Sequence, residues 1–234
     1  MTERHIVAMG GGGFSMDDPV LDAYVLGLVD ASRPKVCFLP TATSSVPTYV
    51  TRFFQAFPAS SFEPTFLDLF DRSVSNLEAL LGEQDVIYVG GGNTANLLAV
   101  WRVHGLDRAL RAAWEAGVVL CGQSAGANCW FEASTTDSFL VGQADALRDG
   151  LGFLPGSFCP HFDGEPERRP SFHALVADGT LQPGIACDDF AAVHFAGREL
   201  LEAVASKGGA GAYRVTPGED GAVEEPLETR LLPA

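Results

Sequence analysis

Through the first half of the chain, short continuous apolar runs alternate with longer stretches whose apolar residues recur every three or four positions. The runs Ile6–Met9, Val36–Leu39, Thr65–Leu69, Val86–Val89 and Val118–Cys121 have strand length, and Asp17–Asp30, Val46–Phe57, Val74–Leu81 and Thr94–Ala116 have helical spacing. Continuously apolar strands separated by helices predict a parallel sheet buried on both faces and built from right-handed crossovers. Sites in such sheets form in loops beyond the carboxyl ends of the strands. That rule directs attention to Gly10–Ser15, Pro40–Ser45, Gly90–Thr94 and Gly122–Ala127. After about Ser134 the pattern is less regular, with strand-like pieces at Phe158–Phe162, Gly184–Cys187, Ala191–Phe195 and Ala212–Val215 and a helical pattern over Arg169–Asp178. No Pro/Ser-rich linker or internal repeat divides the halves, so residues 1–234 read as one α/β domain. For the acidic, proline-containing end from Thr216 to Ala234, a loosely held tail and a final edge strand both fit the composition.

Composition narrows the class more than the function. With 47% hydrophobic and 19% charged residues, the chain can offset its ordering entropy and is expected to fold. A net charge of −15 argues against general nucleic-acid binding, which needs a basic face, and against an anionic membrane surface. No run approaches the ~18 apolar residues of a membrane span, and Met1–Gly10 reads as a lead into a strand rather than a secretion signal. The five cysteines are scattered, without CxxC or metal-ligand spacing, which suggests reduced thiols in a cytoplasmic protein.

The segment with most chemical content runs from Val118 to Asn128. A buried strand enters Gly122-Gln123-Ser124-Ala125-Gly126, and a small-residue helix start follows. This is the G-x-S-x-G arrangement of a nucleophile elbow in its required strand–turn–helix context. The turn lifts Ser124 Oγ out of the sheet edge, over the free N–H groups of a helix start. The plain alternative is a glycine-rich turn without chemistry. A serine nucleophile needs a base, and five histidines are available. His5 precedes the first strand, His104 ends a helical stretch far from the site, His173 sits in a polar helical pattern, and His194 has the setting of a core histidine. His161 lies where an apolar strand passes into a polar loop, a natural place for a base facing Ser124. Asp163, Asp137, Asp188 and Asp189 are candidate partners for it, each equally readable as a turn residue. Gly90–Thr94 follows a buried strand and opens a helix, so the N–H of Gly92 can pair with that of Ala125 as an oxyanion hole. Neither this loop nor Gly10–Gly13 has the spacing of a nucleotide-binding motif.

Taken together, Met9–Phe14, Leu39–Ala42, Tyr88–Thr94, Gly122–Asn128, Pro160–Phe162 and Asp188–Asp189 resemble the peptidase E family of serine peptidases, which includes cyanophycinase-like members. The resemblance implies a three-layer α/β/α sandwich with a mostly parallel central sheet, like that of class I glutamine amidotransferases, with serine at position 124 in place of their cysteine. It also implies a homodimer, no cofactor and a short peptide substrate. By the same resemblance the nucleophile falls on Ser124, the base on His161, the oxyanion amides on Gly92 and Ala125, and the third member on Asp137 or on Asp188–Asp189, with Asp189 favoured. Arg168 or Arg169 corresponds to an arginine that recognises aspartyl substrates in relatives, and Asn93 is a further candidate substrate contact. The segment Gly164–Arg169 departs from the family's pattern by a proline and altered spacing. The expected function is hydrolysis of short peptides. The alternatives are a non-catalytic amino-acid or peptide-binding protein and a cyanophycinase-like exopeptidase.

Overall fold

In a computed structural model, residues 3–233 are described. Two sheets share the molecule. The larger contains β1 (His5–Met9), β2 (Lys35–Leu39), β3 (Glu63–Phe66), β4 (Val86–Val89) and β5 (Val119–Gln123), in which β1, β5, β4, β2 and β3 are successive parallel neighbours. The helices between them are α1 (Pro19–Leu26), α2 (Pro47–Ala56), α3 (Leu77–Gly82), α4 (Thr94–His104) and α5 (Leu106–Ala116).

The period-two alternation of a strand divides the layers. Ile6 and Ala8 pack into the cluster that holds Leu81, Leu97, Trp101, Leu110 and Trp114 from α3, α4 and α5. Val7 and Met9 enter the cluster holding Leu21 and Val25 from α1 and Phe53 from α2. The result is the expected α/β/α sandwich with a mostly parallel central sheet.

Beyond β5 come the short helix α6 (Ala125–Asn128), then β6 (Phe131–Thr136), β7 (Asp145–Leu147), β8 (Leu154–Cys159), α7 (Arg168–Ala177) and β9 (Gly184–Cys187). They are followed by β10 (Ala191–Ala196), β11 (Glu199–Ala205), β12 (Ala212–Gly218), β13 (Gly221–Pro226) and β14 (Thr229–Leu231). β10, β11 and β14 extend the first sheet beside β1, whereas β13, β12, β9, β8, β6 and β7 form a second, six-stranded sheet. Its Phe131 and Phe158 join the core over α4 and α5. Its other face, with Ala133 and Val215, packs on Phe172 and Val176 of α7.

The periodicity foresaw neither the second sheet nor β6, β7, β11, β13 and β14. β13 and the first half of β11 alternate exposed and half-buried positions and are only partly apolar. The stretch Thr94–Ala116 is two helices, because Gly105 adopts φ +72 and ends α4. The strand expected at Thr65–Leu69 runs from Glu63 to Phe66. Residues Thr216 to Leu231 contribute edge strands to both sheets, and Leu232 is buried; Ala234 lies outside the described residues.

Candidate active site

β4, β5 and β1 are adjacent and parallel, so the loops after their carboxyl ends converge. Ser124 follows β5, and its amide N–H donates to Met9 O at the end of β1 (3.1 Å). The turn is tight enough that a Cβ at Gly122 would lie 2.4 Å from Gly126 O, and one at Gly126 would lie 2.3 Å from Val89 O. Only glycines let α6 start this close to β4 and β5. Ser124 itself has φ 53 and ψ −117 and is partly exposed. A non-glycine residue in this conformation is strained.

His161 and Asp189 come from the second sheet. β8 ends at Cys159 and β9 at Cys187, so parallel neighbours deliver both loops to the same end. His161 Nδ1 lies 2.6 Å from Asp189 Oδ1. Asp189 is pinned by its own N–H donating to Asp163 Oδ1 (2.8 Å) and by a bridge to Gly11 beyond β1. His161 (φ 51) and Phe190 (φ 66), next to Asp189, have left-handed backbones like Ser124. Among the described residues no hydrogen bond joins Ser124 to His161; such contacts are often long without substrate.

The other acids considered are engaged elsewhere. Asp188 Oδ2 accepts from Gly211 N (3.0 Å) and Tyr213 OH (3.0 Å), while its Oδ1 is buried without a partner. Burial, the largest cause, raises the Asp188 pKa above the ordinary carboxyl range. Asp137 lies 3.5 Å from Arg168.

A cavity of about 370 Å³ opens at Ser124, lined by Gly92, Asn93, Asp137, Val141, Glu165 and Arg168. Gly92 takes φ +131 on an exposed loop, and neither its amide N–H nor that of Ala125 finds an acceptor among the described residues. Asn93 caps α4 through Oδ1, which accepts from Asn96 N, and its Nδ2 donates to Ser138 O (2.9 Å). Arg169 lies outside the cavity lining, over the rings of Phe162 and Tyr213 and paired with Glu224. His173 pairs with Glu224 as well, and His194 is buried between Tyr24 OH and His5. A larger hollow of about 470 Å³, bordered by Phe14, Asp22 and Phe57, does not include Ser124.

Two supporting residues escaped the sequence reading. Tyr49 OH accepts from Gly91 N (3.2 Å) and from Gln123 Nε2 (2.5 Å), tying α2 to the glycine loop and to the residue before Ser124. Ser15 Oγ donates to Gln123 Oε1 (2.7 Å). Tyr49 sits in an ordinary amphipathic helix pattern, so no sequence signal marks it.

Residues 6–203 match the family described as Peptidase family S51. The chain is 49% identical over 231 residues to a Bacillus subtilis (strain 168) protein named Uncharacterized peptidase YgaJ, covering 98% of this chain and 99% of that one. It is 38% identical over 92 residues to Peptidase E of Citrobacter koseri, covering 38% and 39% of the two chains. A crystal structure of a peptidase from an acI-B1 Actinobacterium superposes with a TM-score of 0.70 at 18% identity, covering 95% of this chain and 98% of that one, and shares its fold. The chain thus belongs to peptidase family S51, the peptidase E family, and is a serine-type peptidase.

Proposed function

We propose that Ser124, His161 and Asp189 are a catalytic triad that hydrolyses short peptides through an acyl-enzyme. The observation that carries this reading is the 2.6 Å contact of His161 with Asp189, delivered to the same sheet end as a strained Ser124. Asp189 accepts the proton-bearing Nδ1 of His161 and so leaves Nε2 free as a base. As Ser124 Oγ bonds to the scissile carbonyl carbon, its proton passes to His161 Nε2. The carbonyl oxygen becomes an oxyanion held by the unpartnered N–H groups of Gly92 and Ala125. Collapse breaks the C–N bond, and His161 returns the proton to the leaving amine. Water then repeats the sequence on the ester and frees Ser124.

A cavity of about 370 Å³ is at the small end of ligand pockets and suits a short peptide. A fluorophosphonate probe checks the assignment. Wild type should be labelled on Ser124, and Ser124→Ala should be blank; equal labelling of both sinks the triad.

A further inference from the structure

We infer that the Ser124 cavity selects a positively charged group on its substrate and rejects an acidic side chain. This rests on the reading of Ser124 as nucleophile. Three charged residues line the cavity: Arg168, Glu165 and Asp137. Arg168 Nε donates to Glu165 Oε2 (2.5 Å), its Nη1 to Thr135 O (3.2 Å), and its Nη2 lies 3.5 Å from Asp137 Oδ1. The guanidinium side chain is 4% exposed, whereas the Glu165 and Asp137 side chains are each 37% exposed. A substrate group entering the cavity therefore meets two carboxylates, with the arginine behind them.

One guanidinium against two carboxylates leaves one net negative charge. A carboxylate guest would need the planar edge of the guanidinium for a two-point contact, whereas Glu165 and Thr135 already accept from that group and Asp137 lies 3.5 Å from it. Among the described residues no other cation lines the cavity, and the Asn93 amide is bound to Asn96 and Ser138. Across the site, Asp163 and Asp189 add negative charge around His161. The net charge of −15 over the chain reinforces the same sign, and a concave site concentrates such a field. The matching guest is an ammonium or guanidinium, which a peptide offers either on a basic side chain or at its free amino terminus.

The test uses diphenyl phosphonates, in which Ser124 Oγ bonds to phosphorus as phenoxide leaves, with side chains of the Asp, Asn, Lys and norleucine types, each with a free and an acetylated amino group. Second-order inactivation rates are measured on wild type, Glu165→Gln and Asp137→Asn, with fluorophosphonate labelling of the same preparations. Wild type should react about tenfold or more faster with the Asn than with the Asp type, the scale of repulsion expected between close like charges. A lysine rate above that of norleucine places the cation on the side chain; loss on acetylation places it at the amino terminus. At least one carboxylate variant should narrow the Asn/Asp ratio severalfold. Preference for the Asp type, indifference to charge, an unmoved ratio in both variants, or no inactivation by the whole set overturns the inference while fluorophosphonate labelling persists. Absence of Ser124-dependent labelling instead overturns the catalytic reading beneath it.

Discussion

Ser124, His161 and Phe190 hold φ values of 53, 51 and 66, conformations that non-glycine residues avoid. Each belongs to one of the loops that meet at the candidate site; Asp17, Ser44 and Ser45, in the loops after β1 and β2, also take positive φ. If the Ser124 backbone is strained, Ser124→Gly should melt above Ser124→Ala, reversing the usual order of these residues. The expected gap is about 1 kcal/mol, or about 2–4 °C for a chain of this size, read by calorimetry. Alanine melting at or above glycine would show that the turn costs nothing.

Gly11 supplies the complementary case, through space rather than torsion. A Cβ there would lie 2.1 Å from Asp189 Oδ1 and 2.9 Å from His161 Cε1. Gly11→Ala should therefore displace the pair and lower kcat at least ~10²-fold, the scale at which misplacing catalytic groups is felt, with the circular-dichroism spectrum unchanged. Retained turnover would mean that the pair has room to yield. Gly11 is visible in the sequence only as part of a glycine run; its reason is a neighbour 178 positions away in the chain.

Among elements, the long pattern Thr94–Ala116 shows how periodicity and backbone chemistry divide the work. Apolar spacing continues through Gly105, yet its φ of +72 ends α4, and its N–H donates to Arg102 O and Trp101 O. Both halves still place Leu97, Trp101, Leu106 and Leu110 in one core cluster. Gly105→Ala should cost about 1 kcal/mol, measured as a lower urea midpoint at unchanged slope, because alanine resists that torsion. An unshifted midpoint would argue that the two helices can fuse. The second sheet was illegible for a related reason. Its edge strands are the largely polar β13 and the three-residue β7, whose local pattern resembles loop.

At the scale of the whole molecule, α1 is fastened to the central sheet by two buried polar contacts whose pH dependences have opposite signs. Asp22 accepts from Tyr88 OH (3.0 Å), and burial pushes its carboxyl up to about 7. His194 meets Tyr24 OH (2.6 Å), and burial, the largest cause, lowers its pKa to about 4. For Asp22 the folded value lies above the ordinary 3.8, so its contribution is full below that value and fades as pH rises through about 7. For His194 the folded value lies below 6.5, so its contribution is present above 6.5 and is lost as pH falls through about 4. Asp22→Asn removes the first dependence. It should gain urea stability relative to wild type between pH 5 and pH 8; a wild-type-minus-variant difference that stays flat over that range would contradict the buried, proton-holding carboxyl.

The sequence alone determined the parallel half of the fold, because fully buried strands and amphipathic helices declare themselves by local apolar spacing. It also located the elbow at Ser124 and the glycine loop at Gly90–Thr94, since tight turns restrict residue type. It narrowed the candidate bases to His161, but the candidate partner stayed open among four aspartates, because aspartate at a loop is chemically ambiguous. Tertiary structure decided that Asp189 meets His161, that Asp188 turns to Tyr213, and that Arg168 lies beneath Glu165 and Asp137. Those choices depend on how the second sheet docks beside β1, a matter of long-range pairing and desolvation that no local pattern encodes.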